Sequence, residues 1–167
     1  MILLTVGSMF PFDRLVRAVD ELVASGRITD EIRAQIGTGS YEPKSMPFDR
    51  FLDKSQFDTL LHRADAIVSH AGIGSIATAL KYGKPMVVVP RLARHGEHVN
   101  DHQVATARKY EALGHVVVAY DESQIAERLV GIASFRPSPR AINADGVAQR
   151  VARFLHKLNQ GPGGRET

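Results

Sequence analysis

The densest cluster of chemically active side chains lies in one segment, residues 91–103. It contains three histidines and two carboxylates within eight positions: His95, Glu97, His98, Asp101 and His102. Imidazole and carboxylate groups are common ligands of zinc and manganese, so one hypothesis is a metal-dependent hydrolase. Polar groups at this density also suit hydrogen bonding to the hydroxyls of a sugar, and helix capping with a solvated surface is a third interpretation. We favour sugar binding, because the zinc motif H-E-x-x-H is absent, and we expect no metal.

A second polar segment, residues 69–75, has the sequence Ser-His-Ala-Gly-Ile-Gly-Ser. Gly72 and Gly74 would let a diphosphate approach bare backbone amides, and Ser75 could add a hydroxyl donor. His70 ends an apolar run, where its imidazole could reach a phosphate or hold the loop. The alternative is a half-buried packing role for His70, with glycines that serve tight packing. No Gly-Lys-Ser follows, so the segment does not indicate hydrolysis of nucleoside triphosphates.

A third segment follows the first apolar run and contains Gly7 and Ser8. A glycine between a strand and a helix lets backbone N–H groups approach an anion, and the helix N-terminus favours negative charge. An ordinary strand-to-helix turn would have the same sequence. The motif G-x-G-x-x-G is absent, so a nicotinamide dinucleotide site has little support.

Alternating apolar runs and helical periods predict the elements that position these three segments. The expected strands are Ile2–Val6, Ile32–Ile36, Phe48–Leu52, Ala66–Ser69, Met86–Val89 and Val116–Ala119. The expected helices are Phe12–Val23, Phe57–Arg63, Ile73–Tyr82, His98–Leu113, Glu122–Ile132 and Asn143–Leu158. Strand and helix in alternation indicate an α/β fold, a doubly wound parallel sheet that is Rossmann-like, with helices on both faces. Ligands of such sheets collect at the carboxyl ends of the strands, where all three polar segments lie.

Composition supports a single globular domain. The chain has 167 residues, of which 44% are hydrophobic and 23% charged. We assign residues 1–158 to one domain and expect a disordered tail at 159–167. The net charge of +3 is a mild excess without basic runs, so we expect no nucleic-acid partner. The apolar run at Ile2–Val6 is too short for a signal peptide or a membrane span, and the chain has no cysteine, which fits a cytoplasmic protein.

Together the three segments resemble the glycosyltransferase family 28 C-terminal domain, the nucleotide-binding half of a GT-B fold. The opening Thr-Val-Gly-Ser…Phe-Asp-Arg-Leu is similar to that family's first loop. Ser-His-Ala-Gly-Ile-Gly-Ser with Ala-Leu-x-x-Gly-Lys-Pro is similar to its diphosphate loop, and Pro-Arg…Gly-Glu-His-x-Asn-Asp-His-Gln to its sugar-contacting segment. The likeness covers residues 2 to about 130. It is strongest to the small soluble subunits of two-component transferases, both bacterial exopolysaccharide and capsule enzymes and the eukaryotic UDP-GlcNAc transferase acting on lipid-linked oligosaccharide.

The resemblance implies roles for individual residues. The expected diphosphate-binding residues are Gly7, Ser8, His70, Gly72, Gly74 and Ser75. The expected contacts to donor sugar or ribose are Glu97, Asn100, Asp101, His102 and Gln103. Related transferases often have a glutamate for the ribose hydroxyls on the helix after the diphosphate loop, and this chain has Thr78 there. Glu97 or another group is then expected to hold the ribose.

The resemblance also implies a function. The expected activity is transfer of a hexose from a UDP-sugar to a lipid-linked saccharide acceptor in surface polysaccharide biosynthesis. A GT-B enzyme needs two such domains, so a membrane-anchored partner would bind the acceptor and supply the catalytic base. The chain would then work at the inner face of the membrane, without a cofactor. A metal-dependent hydrolase built on residues 95–102 and a non-catalytic module that binds sugar nucleotides remain the alternatives.

Overall fold

The computed structural model describes residues 1–139, which form a six-stranded parallel sheet covered by helices on both faces. The strands are β1 (Ile2–Thr5), β2 (Ile32–Gln35), β3 (Phe48–Asp49), β4 (Ala66–His70), β5 (Met86–Val89) and β6 (Val117–Val118). The helices are α1 (Asp13–Ala24), α2 (Lys54–Arg63), α3 (Ile73–Lys81), α4 (His102–Ala112) and α5 (Ile125–Leu129). Short 3₁₀ turns occupy Ala93–His95, Glu122–Gln124 and Ile132–Ser134.

Alternate residues of each strand bury against opposite helical layers. In β1, Leu4 packs with α1, whereas its neighbour Leu3 packs with Leu61 of α2 and Ile76 of α3. Helix α5 lies on the α1 side through Ile125, and α4 on the other side through its buried alanine. A strand buried on both faces has no polar alternation, which explains why β5 and the first three residues of β4 are continuous apolar runs. The predicted doubly wound α/β fold is confirmed.

The strand order is β3-β2-β1-β4-β5-β6, with every pairing parallel. The chain builds the sheet outward from β1 to β3, then returns to place β4 on the opposite side of β1. The carboxyl ends of β1 and β4 therefore diverge into helices on opposite faces, and the crevice between them is the usual ligand site of such sheets. Thr5 of β1 is in register with Ser69 of β4, which sets the two predicted phosphate segments side by side.

Four predicted boundaries are wrong by three residues or more. The helix predicted at His98–Leu113 begins only at His102, since Asn100 and Asp101 bind nearby backbone N–H groups with their side chains. The helix predicted at Phe57–Arg63 begins at Lys54, because Asp53 and Gln56 form a reciprocal capping box.

The other two wrong boundaries concern segments that are shorter than predicted. The strand predicted at Phe48–Leu52 pairs only over Phe48–Asp49. The helix predicted at Glu122–Ile132 is broken after Leu129, where Gly131 takes a left-handed conformation with φ +75°. The predicted helix Asn143–Leu158 and the tail 159–167 lie outside the described residues. Within residues 1–139, no helix combines the length and the apolar character needed to cross a membrane.

Asp20 of α1 braces the loop that joins β2 to β3. Its buried carboxylate accepts hydrogen bonds from the Tyr41 hydroxyl at 2.7 Å and from the backbone N–H groups of Lys44 at 2.9 Å and Ser45 at 2.7 Å. Burial raises the pKa of this carboxyl, but these hydrogen bonds outweigh that effect and leave it below its usual value. The loop is therefore held by one ionised side chain.

Replacing Asp20 by alanine is expected to lower the free energy of unfolding by about 2 kcal/mol, since the donors lose their charged acceptor while partly buried. Urea denaturation followed by circular dichroism measures this. Asp58→Ala, at a carboxylate on the exposed side of α2, is the matched control and should change stability by less than about 0.5 kcal/mol. Equal effects of the two substitutions would show that Asp20 does not brace the loop.

Candidate functional site

A cleft with a cavity of about 240 Å³ opens at the carboxyl ends of the strands, beside helices α2 and α3. Polar and glycine residues line one part of it: Thr5, Gly7, Ser8, Gln35, Gly74, Ser75 and Thr78. Apolar side chains line the remainder: Phe51, Leu52, Phe57, Leu61, Ile67, Ala79 and Met86. An apolar cavity with a few convergent polar groups is typical of a small-molecule site. The structure thus brings the segment with Gly7 and Ser8 and the segment at residues 69–75 to one cavity.

His70 lies between the two glycine loops. A Cβ atom added to Gly7 would lie 2.9 Å from its Cε1 atom, and one added to Gly72 would lie 2.3 Å from its Nε2 atom. Both glycines are therefore required by the imidazole ring between them. Gly7 also has a φ of +75°, which other residues rarely adopt. The hydroxyl of Ser69 lies 3.2 Å from Nδ1 and fixes the other edge of the ring.

His70 is held in its neutral form. Burial, followed by the positive charge of Arg91, lowers the pKa of His70 from 6.5 to about 4. At neutral pH the imidazole therefore carries no charge, and with its proton on Nε2 it is a hydrogen-bond donor directed at the Gly72 loop. Such a donor favours an anion beside it without adding a buried charge of its own.

Helix α3 begins beside this ring with Gly72 as its N-cap, and within residues 1–139 no side chain caps it. The first N–H groups of an uncapped helix are free to bind an anion. Gly74 has open space where a side chain would stand, since no atom lies within 4 Å of its ideal Cβ position. Thr78, at the position expected to differ from related transferases, donates its hydroxyl to the Gly74 carbonyl at 2.8 Å.

The segment at residues 91–103 is fixed by a long-range ion pair. Glu97 is buried, and its carboxylate accepts two hydrogen bonds from the guanidinium of Arg14. One comes from Nε at 2.7 Å and the other from Nη2 at 2.9 Å. It also accepts one from the backbone N–H of Leu92 at 2.9 Å. Arg14 reaches Glu122 at 2.6 Å and the Pro90 carbonyl at 3.1 Å. The structure therefore gives Glu97 a role in fixing the loop, and its contact with a donor stays a prediction.

Asn100, Asp101 and His102 lie on the exposed surface of the same segment. The Asp101 carboxylate accepts from the backbone N–H of Ala93 at 2.7 Å, and the Asn100 side chain accepts from that of His102 at 3.1 Å. The His98 ring packs between two others, with centroids 5.0 Å from Phe10 and 4.3 Å from His102. This stack joins the segment at residues 91–103 to the loop that contains Gly7 and Ser8.

The five residues of the metal hypothesis do not form one centre. Glu97 is occupied by an arginine, Asp101 by a backbone N–H group, and His98 stacks edge-on against His102. In the described part of the chain, no three His, Asp or Glu side chains are placed to hold a metal ion together. The hydrolase hypothesis therefore has no ligand set there.

Gln103, the last predicted sugar contact, is buried, and its side-chain oxygen accepts from the backbone N–H of Arg91 at 3.1 Å. Sequence analysis did not single out Arg14 or Arg91 as site residues. It also missed Gln35, whose side-chain nitrogen donates to the Gly7 carbonyl at 3.1 Å. Arg91 had a local signal, because a charged residue directly after a buried strand needs a partner. No local sequence pattern points to Arg14 or Gln35, since their hydrogen-bond partners are distant in the chain.

The fold defines a class, the Rossmann-like C-terminal domain of GT-B glycosyltransferases. A crystal structure of the glycotransferase of kitacinnamycin superposes with a TM-score of 0.60 at 22% identity, covering 95% of this chain and 39% of that one. An NMR solution structure of ALG13 gives a TM-score of 0.56 at 21% identity, covering 90% of this chain and 93% of that one. These likenesses show the fold.

The sequence supplies the family. Residues 1–157 match the glycosyltransferase family 28 C-terminal domain, and the chain belongs to that family. The UDP-N-acetylglucosamine transferase subunit ALG13 of Eremothecium gossypii is 37% identical over 111 residues, which is 64% of this chain and 52% of that protein. The chain spans 7% and 10% of the mouse and human proteins of the same name. The predicted family resemblance is confirmed, and the protein is a glycosyltransferase domain.

Proposed function

We propose that this chain is the donor-binding subunit of a two-component glycosyltransferase that uses a UDP-sugar. The observation that carries the proposal is the cleft between β1 and β4, where His70, two close-approach glycine loops and the uncapped start of α3 converge. All are suited to a diphosphate. The predicted diphosphate residues Gly7, Ser8, Gly74 and Ser75 line the same cavity, which supports their assignment.

The apolar part of the cavity suits the uracil base. Phe51 is more than half exposed and stands in the cavity wall with Leu52 and Phe57. An exposed aromatic side chain beside a diphosphate loop offers a face on which a planar base can stack. With the base there and the diphosphate at Gly72–Ser75, the sugar would lie toward residues 91–103, where Asn100, Asp101 and His102 present polar groups.

The reaction we propose is direct displacement at the anomeric carbon with inversion. The bond from that carbon to the β-phosphate oxygen breaks as the acceptor hydroxyl attacks, and UDP leaves with the electron pair. Negative charge grows on the diphosphate during this step, so the amides of α3 and His70 would bind the transition state more tightly than the ground state. The attacking hydroxyl loses its proton to a base that we assign to the partner subunit.

The partner and its location are proposed from the relatives. ALG13 is named a transferase subunit, and residues 1–157 of this chain match the same kind of glycosyltransferase domain. A membrane-anchored partner that binds a lipid-linked saccharide would complete the active site at the cytoplasmic face. Transfer of a hexose in surface polysaccharide biosynthesis is the function that we propose for the pair.

Calorimetric titration with UDP and a panel of UDP-sugars, in the presence of EDTA, tests the donor assignment. Saturable binding that favours one UDP-sugar is the expected result, and the favoured compound identifies the transferred sugar. Binding that appears only after zinc or manganese is added would favour the metal-dependent alternative. Donor binding without turnover when the acceptor subunit and a lipid-linked acceptor are supplied would identify a non-catalytic module.

Gly74→Val is expected to weaken UDP binding about tenfold, because its methyl groups would enter the open space beside the first turn of α3. The fold should be kept, since valine costs less than glycine in a helix. Gly74→Ala is the matched control. It should raise the free energy of unfolding by about 0.5–1 kcal/mol and change UDP affinity less than threefold. Calorimetry and thermal unfolding measure both, and unchanged UDP affinity in the valine variant would contradict the cavity assignment.

A further inference from the structure

Arg91, directly after β5 and Pro90, is an arginine that the proposed function has not yet used. Its side chain is only 3% exposed, although the residue carries a full positive charge. Burial lowers its pKa to about 10, so it remains charged at neutral pH. A buried charge is costly unless it is paired, so this guanidinium needs an explanation.

Among the described residues, 1–139, Arg91 has hydrogen bonds but no ion pair. Its Nη2 group donates to the carbonyls of Val6 and Phe10, both at 2.7 Å, and its guanidinium lies 5.0 Å from the centroid of the Phe12 ring. Its Nε atom is buried and has no hydrogen-bond partner in that part of the chain. Among residues 1–139, no carboxylate oxygen lies within 4 Å of it. Glu97 attracts it from a distance but binds Arg14 directly.

The guanidinium of Arg91 lies against the loop that follows β1. Val6 and Phe10 are the two ends of the loop that contains Gly7 and Ser8, so one group clamps both ends of that loop. The same charge is close enough to His70 to lower the pKa of its imidazole. The unpaired positive charge therefore stands behind the phosphate loop and beside the histidine of the diphosphate site.

We propose that Arg91 is a positioning residue that holds the Gly7–Phe10 loop in its binding shape and supplies a buried positive charge that an incoming diphosphate neutralises. Arg91 acts through the hydrogen bonds that it donates to the loop carbonyls and through the electric field of its charge. In a water-poor site such a charge acts strongly on a neighbouring anion. The inference rests on the proposed function, and it adds a preference for ligands according to their charge.

The experiment compares three probes of increasing negative charge, uridine, UMP and UDP, against the unaltered chain and Arg91→Met. The methionine side chain has a similar length and no charge. UDP affinity is expected to fall by about tenfold or more, UMP affinity by less, and uridine affinity by less than about twofold. Arg94→Met, at an exposed arginine in the same segment, is the matched control and should leave all three affinities unchanged.

Two further results decide the inference. Equal losses for uridine, UMP and UDP in Arg91→Met would show a merely structural role and overturn it, while UDP binding by the unaltered chain would leave the proposed function standing. Absence of UDP binding by the unaltered chain would overturn both. If Arg91→Met does not fold, Arg91→Lys keeps the charge with fewer hydrogen bonds and is expected to retain the preference for UDP over uridine. Loss of that preference in the lysine variant would also overturn the inference.

Discussion

Gly72→Ala is expected to weaken UDP binding by about 10- to 150-fold while the chain remains folded. The added methyl group would lie 2.3 Å from Nε2 of His70, a distance that forces the imidazole to move. The ring cannot retreat freely, because Gly7 borders its other side. The cost is that of one hydrogen bond to a charged group, about 1.5–3 kcal/mol, where each 1.4 kcal/mol is a factor of ten. Calorimetric titration with UDP measures it.

A double-mutant cycle separates this collision from other effects of the substitution. In a His70→Ala background the methyl group meets no ring, so Gly72→Ala should change neither stability nor the residual UDP affinity by much. The backbone does not oppose alanine, since Gly72 has an ordinary extended conformation with φ −83°. Additive losses in the double variant would refute the contact between Gly72 and His70 as the cause.

Stability is expected to fall by roughly 3 kcal/mol between pH 6.5 and pH 4, on account of His70 alone. The pKa of His70 is 6.5 in the unfolded chain and about 4 in the folded one, and each unit of difference corresponds to 1.36 kcal/mol. Below pH 6.5 His70 of the unfolded chain takes up a proton, whereas His70 of the folded chain stays neutral until the pH approaches 4. The stabilisation is therefore complete above pH 6.5 and is lost as the pH falls toward 4.

The measurement is urea denaturation at several pH values for the unaltered chain and for His70→Gln, which cannot titrate. The pKa of His98 is also lowered, and those of Asp13 and Asp20 lie below their usual value, but both proteins share these groups. The difference between the two curves therefore isolates His70. Parallel curves across this range would mean that the imidazole is not held neutral by its surroundings.

The strands of the sheet were largely predictable, because the residues that specify each strand lie within it and directly after it. Each of the apolar runs at Ile2, Ala66 and Met86 is short, rich in branched side chains and closed by glycine, histidine or proline, which leaves little choice but a buried parallel strand. The helix boundaries failed where side chains competed with the backbone. Asn100 and Asp101 look like part of a helical period, yet their side chains bind the backbone N–H groups of His102, at the start of α4, and of Ala93, in the preceding loop.

The part of the candidate site that was predictable consists of its glycines, Ser8, Ser75 and His70. Those residues stand beside strands within one short motif, so their spacing alone brings them together. The roles of Glu97 and Arg91 depend on partners 83 and 85 positions away, Arg14 and Val6. The hydrophobic periodicity of the sequence gives no information on pairs that are so far apart in the chain. The same polar segment therefore suggested a metal centre, although its acidic groups are used to hold the loops.

The two outer strands of the sheet, β3 and β6, are only two residues long. A long outer strand would present a row of unpaired N–H and C=O groups on which another chain could add a strand. An outer strand of two residues presents too few such groups for that pairing. In the described part of the chain, the sheet therefore resists aggregation through its margins. It also follows that a second polypeptide is better placed to join through loops and helices than by extending the sheet, which leaves the crevice between β1 and β4 free to receive its ligand.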